Sequence, residues 1–287
     1  GAGLDSALKE EYPGSTVTYQ TSGGGIANVA VLQRGDANLG LVEDAVLQLA
    51  RDGEAPFREA VNDDIRVLSY LYTWAPMQAV IRKEFAEEHG ITSFSDIADI
   101  KPPITIAINK RGNIASGVAE AMLDSIGASS EEVKSWGGNI IYAASSEQSG
   151  LIQDRRVDML LNSLFVGQSS IMQAASSVDL DLLPLSEQTI QEVSEKTGTN
   201  PFTIPAGAYE WEQEETPTVS ISATLAVNSS MDDEMAYNLT KAFYENYEKI
   251  AGVHPAMESL TPEVMAGVEV VPYHDGAERY LKEVGLR

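Results

Sequence analysis

Apolar and polar positions switch repeatedly between helical and strand periods along the chain. Leu4, Ala7 and Leu8 recur at helical spacing, and Tyr12-Pro13-Gly14 ends that run. Ser15-Thr16-Val17-Thr18-Tyr19-Gln20 reads as a strand, and residues 26–34 as a helix with Ile26, Val29, Ala30 and Leu32 facing inward. Leu39 to Val42 predicts a short buried strand and residues 45–50 a helix. Residues 65–72 and 77–82 predict two further strands. Ser95-Asp96-Ile97-Ala98 has the look of a short capped helix, after which Lys101-Pro102-Pro103 forces extended backbone. The alternation then restarts, with strands over 104–108, 140–143, 157–162 and 180–185 separated by helices over 114–126, 146–154, 168–175 and 188–196. Residues 203–209 read as extended and irregular. Residues 219–227 form the longest strand candidate. A helix over 232–250 follows, with Met235, Leu239, Ala242, Phe243 and Tyr247 on one stripe.

Repeated βα units predict open α/β sheets, whose ligands lie beyond the carboxyl ends of the strands. The strands near Met77 and Val219 bracket the second run of units. If the chain leaves its first body along one and returns along the other, they form a paired hinge. That reading predicts a discontinuous lobe of residues 1–101 plus 222–287, a second lobe of 102–221, and a ligand cleft between them.

Thr21-Ser22-Gly23-Gly24-Gly25-Ile26-Ala27-Asn28 joins the first predicted strand to its helix. Glycines there allow positive φ and close approach to a ligand. The free N–H groups of the helix's first turn, backed by the helix dipole, suit an anion or carboxylate without any charged side chain. A flexible connecting turn is the plain alternative. A second loop, Asn109-Lys110-Arg111-Gly112-Asn113, precedes the helix over 114–126. Its Arg111 offers a fork that fits a carboxylate.

Composition narrows the partners. Forty-three acidic residues against 19 basic give a net charge of −24. Such a surface repels nucleic acid and anionic lipid and fits a salty habitat, where screening is short-ranged. The absence of cysteine removes disulfides, thiol catalysis and Cys-ligated zinc. Three scattered histidines give no metal-ligand spacing, so no metal and no cofactor are expected. No Gly-x-Ser-x-Gly, His-Glu-x-x-His or phosphate-loop motif occurs, and no catalytic residue is assigned. No apolar run of roughly 18 residues reads as a membrane span. No secretory leader is visible, and the chain reads as a mature form or as one whose leader has been cut away.

Several segments, in order, resemble the TAXI family of substrate-binding proteins that serve TRAP transporters. Val271-Pro272-Tyr273-His274-Asp275-Gly276-Ala277-Glu278-Arg279-Tyr280 is similar to the family's C-terminal Pro-x-His-x-Gly-Ala-x-x-Tyr. Ile204-Pro205-Ala206-Gly207-Ala208-Tyr209 with Pro217-Thr218-Val219, the Ser22 to Asn28 loop, and Arg156-Val157-Asp158 followed by Phe165-Val166-Gly167 also fit. Three features depart from the pattern. The family's first strand and Gly-Gly-x-Tyr-Tyr loop would precede residue 1. Its Gly-Ser-Gly second loop is Gly112-Asn113-Ile114-Ala115-Ser116-Gly117 here. Its Val-x-x-Asp segment reads Val42-Glu43-Asp44-Ala45.

The resemblance implies a two-lobed periplasmic-binding-protein fold of type II kind. It implies a periplasmic protein that closes on a small carboxylate such as glutamate or 2-oxoglutarate and delivers it to TRAP membrane subunits. The expected ligand-binding set is Ser22, Gly24, Gly25, Asn28, Arg111, Asn113, Ile114, Ala115, Asn162, Phe165 and Tyr209. Ser163, Tyr72, Trp74 and Trp211 are further candidates for the cleft. His274 is expected to fix the C-terminal turn, and His89 and His254 to lie at the surface. An enzyme or a ligand-sensing module on the same scaffold is the alternative.

Overall fold

A computed structural model describes residues 1–61 and 63–287. The chain divides into two compact units, Gly1–Thr73 with Ser222–Arg287, and Trp74–Ile221. The expected α/β class is what the structure shows. Residues 74–101, assigned from sequence to the first body, pack with the second. Phe85, Phe94 and Ile97 share one apolar core with Ile106, Met122 and Leu161.

The first unit opens with α1 (Ala2–Glu11), α2 (Gly25–Gln33), β1 (Gly40–Glu43) and α3 (Asp44–Asp52). No strand forms over residues 15–20. The segment offers Val17 as its one aliphatic residue, leaves Tyr19 at 72% exposure, and has no partner strand for its backbone groups. It is tied down instead by Asp5, whose carboxylate accepts from Val17 N and Thr16 Oγ1, both at 2.8 Å, and from Lys9 at 2.7 Å. These bonds, that from Lys9 foremost, lower the Asp5 pKa to about 2.

The two strands expected over 65–72 and 77–82 are one, β2 (Ile65–Arg82). Pro76 interrupts nothing, because its carbonyl accepts from Leu164 N and the antiparallel ladder with the next strand but two begins at Met77↔Ser163. Past Thr73 the chain enters the second unit, with α4 (Lys83–His89), α5 (Asp96–Ile100), β3 (Thr105–Ile108), α6 (Ile114–Ser125), α7 (Ser130–Ser135) and β4 (Asn139–Tyr142). Next come α8 (Ser145–Gln153), β5 (Met159–Ser163), α9 (Ser169–Ala175), β6 (Leu180–Leu182), α10 (Glu187–Thr197) and β7 (Asn200–Ile204). Ser95 makes no side-chain cap on α5; the Asp96 carboxylate takes the N–H groups of Thr92 and Ser93 instead. The pattern reading passed over α7, although Ser129, which accepts from Glu132 N, sits at cap spacing from that glutamate.

β8 (Thr216–Asn228) lies next to β2 in the sheet and carries the chain back into the first unit. There it pairs antiparallel with β1, Glu43 standing opposite Ala223. In the second unit, β3 runs parallel to both β4 and β5. The carboxyl ends of these three strands therefore share one edge of the sheet.

The first unit is completed by α11 (Asp233–Glu245), α12 (Tyr247–Ala251), α13 (Pro262–Met265) and α14 (Asp275–Glu283). The single helix expected over 232–250 is broken at Asn246, where φ is −119°. The expected stripe is rotated as well: Met235 is exposed, and Ala236, Thr240, Ala242, Phe243 and Tyr244 are buried. Close approach explains this. A Cβ on Gly276 of α14 would overlap Asp233 O and stand 3.0 Å from the Ala236 Cβ, so the small-residue face of α11 turns inward.

His274 is buried and caps α14, its Nδ1 accepting from Gly276 N at 3.2 Å, while its own N–H bonds Val67 O on β2. His274→Ala removes the cap and is expected to lower stability by about 1–2 kcal/mol. The measurement is the urea midpoint at constant slope, and an unchanged midpoint would count against it.

Candidate functional site

In the first unit the candidate residues gather at the amino end of α2. Gly24 is its N-cap at φ 96° and ψ −175°, a conformation essentially confined to glycine. Gly24 N donates to Ser22 Oγ at 3.3 Å, which closes the turn. Gly23 and Gly24 are exposed, and open space lies where a Gly24 side chain would stand. Asn28 sits one turn on. Its Nδ2 donates to Leu41 O at 2.7 Å, so this side chain pins α2 to β1.

A feature that the motif reading left unassigned lies directly beneath. The Glu43 carboxylate, at the carboxyl end of β1, fills the space that a side chain at position 25 would take. A Cβ on Gly25 would overlap Oε2 and stand 3.2 Å from Cδ. Oε2 is closed off from solvent and has no hydrogen-bond partner among the described residues. Burial pushes the Glu43 pKa up, opposed by a hydrogen bond from its own backbone amide. The neighbouring Tyr72 hydroxyl is raised too, by burial and then by the Glu43 charge. At the next position Asp44 is buried and accepts from Tyr70 OH at 2.5 Å. The α2 end thus carries a carboxylate of the protein itself, and the amides there are not the only charge-bearing groups.

In the second unit the candidates gather where β3, β4 and β5 end. Three helices, α6, α8 and α9, begin just past these strand ends. Asn162, at the end of β5, is buried, and its amide is occupied on every side. Its Nδ2 donates to Ser145 Oγ (2.9 Å) and Gln148 Oε1 (3.1 Å), while Oδ1 accepts from Asn109 Nδ2 (3.2 Å) and Ser163 N (2.9 Å). It holds together the loops after all three strands. Gln78 on β2 and Tyr209 extend the framework. The Tyr209 hydroxyl donates to Gln78 Oε1 at 2.7 Å and accepts from Gly167 N at 3.2 Å, and Gln78 Nε2 donates to Leu164 O. Tyr209 is 1% exposed and stacks on Trp211 at 4.8 Å, so in this structure it braces the 164–167 segment from within. Phe165 lies half-buried on that segment.

The second loop is arranged differently from a bare amide cradle. Asn113 caps α6 with its own side chain, Oδ1 accepting from Ala115 N at 2.9 Å. Ile114 is half-buried beside it and Ala115 is buried. Arg111 is exposed and lies over the Tyr142 ring, 3.9 Å from the centroid, while Tyr142 OH donates to Glu120 Oε1 at 2.6 Å. A guanidinium stacked in this way keeps its in-plane donors facing outward. Sequence reasoning missed Gln78, Asn109, Ser145 and Gln148; two of the four, Asn109 and Ser145, stand just beyond strand ends, where a polar residue after an apolar run is the available signal.

Among the described residues no cluster of three or more His, Cys, Asp or Glu could hold a metal ion. No described helix is long and apolar enough to cross a membrane.

A family profile matches residues 1–285, nearly the whole length that carries these features. The chain belongs to the NMT1-like family. Among solved structures, PhnD1 from Prochlorococcus marinus, in complex with methylphosphonate, is similar at a TM-score of 0.58 and 10% identity, covering 99% of this chain and 92% of that one. Such a likeness shows a shared fold. A periplasmic transporter matches with a TM-score of 0.47 and 10% identity over 99% of this chain and 86% of the other. The alkanesulfonate-binding protein SsuA from Xanthomonas axonopodis pv. citri, bound to MOPS, matches with a TM-score of 0.45 and 15% identity over 98% and 78%.

Proposed function

We propose that this NMT1-like chain is an extracytoplasmic solute-binding protein. In this reading it captures a small carboxylate, of the glutamate or 2-oxoglutarate kind, and delivers it to the membrane subunits of a TRAP transporter of TAXI type. The observation that carries the reading is the glycine-built amino end of α2, with Gly24 held at φ 96° and open space above it. The TAXI-like order of motifs points to the transporter type, and the PhnD1 fold is that of a protein solved with a small anion.

Binding rather than catalysis follows from the chemistry of the groups at the β3, β4 and β5 ends. Asn109, Ser145, Gln148 and Asn162 are amides and a hydroxyl bonded to one another. The Ser145 hydroxyl accepts from two Asn amides, and the network supplies it with no base. Such a network fixes the loops beyond these strand ends and activates no nucleophile.

A thermal-shift series tests the proposal. A solute that binds the folded chain alone stabilises it by about 2.7 kcal/mol at a hundredfold excess over its dissociation constant. A panel of dicarboxylates and amino acids is expected to contain at least one compound giving that rise. A flat response across the panel at high and low salt would remove the carboxylate assignment.

A further inference from the structure

We infer that Glu43 is a specificity-determining residue that selects, among small carboxylates, those carrying a cationic hydrogen-bond donor beside the acid group. The inference rests on the solute-binding reading above and deepens it. Oε2 of Glu43 is buried and lacks any hydrogen-bond partner among the described residues, although it sits against the run of consecutive glycines at 23–25. A buried carboxylate oxygen without a donor is costly to keep. The positive end of α2 offsets part of that cost but supplies no bond to this atom.

Glycine at position 25 is what makes room for the carboxylate, since any side chain there would collide with it. Gly23 and Gly24, the two residues before Gly25, bear no side chain and are exposed, and open space lies where a Gly24 side chain would stand. An ammonium N–H brought to this end of α2 would give Oε2 its missing donor and neutralise the charge. A ligand anion brought to the same place would meet a carboxylate already there and be repelled. The electrostatics at this end therefore favour a zwitterion over a plain dicarboxylate: an ammonium against Oε2 offsets the Glu43 charge, and the acid group beside it then meets the α2 amino end without net repulsion.

L-Glutamate and 2-oxoglutarate separate the cases, because they differ at one carbon, ammonium against ketone. Isothermal titration of the full chain is expected to show glutamate bound at least tenfold more tightly. In Glu43→Gln, which keeps the shape and removes the charge, glutamate affinity should fall at least tenfold and 2-oxoglutarate affinity should hold or rise. Wild-type preference for 2-oxoglutarate, or an equal change for both acids in the variant, overturns the inference and leaves the solute-binding reading standing. Absence of binding by either acid to the wild type overturns the carboxylate reading and this inference with it. The wild-type ratio needs no variant, so a Glu43→Gln chain that fails to fold would not rescue the idea.

Discussion

Asp158→Ala is expected to destabilise the second unit by about 3–5 kcal/mol, the largest effect of any single change considered for this chain. Asp158 ties three strands at their amino-terminal or carboxyl-terminal margins. Its Oδ1 accepts from Arg82 Nη2 at 2.5 Å and its Oδ2 from Thr105 N at 2.7 Å, and its backbone bonds both partners again. The side chains of Arg82 and Asp158 are only 12% and 13% exposed. Truncation leaves a guanidinium in a poorly solvated place, where Glu84 at 3.6 Å is its remaining acidic neighbour. It also leaves the Thr105 amide without its acceptor. Tryptophan fluorescence in urea is a suitable probe, because Trp74, Trp136 and Trp211 all lie in this unit. A midpoint within experimental error of wild type would show that the pair contributes nothing net.

Asn162→Ala comes second, at about 3–4 kcal/mol. Four hydrogen bonds converge on this buried amide, each contributing about 1 kcal/mol net, and their loss leaves the buried Gln148 Oε1 without its donor. The same change frees the loops after β3 and β4 from the end of β5. Solute affinity should therefore fall along with stability, even though Asn162 is only 1% exposed. Retained affinity in a destabilised variant would show that those loops take no part in binding. A cost below about 1 kcal/mol would mean that neighbouring groups re-pair.

The two residues illustrate how far the chain could be read. Asn162 closes the apolar run that predicts a strand over 157–162, and β5 ends one residue beyond it. Its partners come from elsewhere. Asn109 and Ser145 belong to other loops, brought alongside because β3 and β4 run parallel next to β5. No local pattern states which of several loop amides will be enclosed by the others. Glu43 is a similar case. It was visible as an acid displaced from a family pattern, but its overlap with position 25 depends on how α2 packs on β1. Asn28 decides that packing by bonding Leu41 O.

What the sequence by itself determined is the course of the elements: periodicity placed α2, β1, α3 and, α7 apart, the β3 to α9 alternation, because side-chain burial repeats at 3.6 or 2 residues whatever the partner. Glycine at 24 likewise announced a backbone conformation that other residues avoid. Only the tertiary structure decided the rest. It left residues 15–20 unpaired for want of a partner strand, joined two predicted strands through Pro76 into one, and turned α11 so that Gly276 could approach Ala236. It also put a carboxylate under the glycines of α2. Each of these depends on which surface meets which, and hydrogen bonding and close packing between distant residues are not written in any one segment.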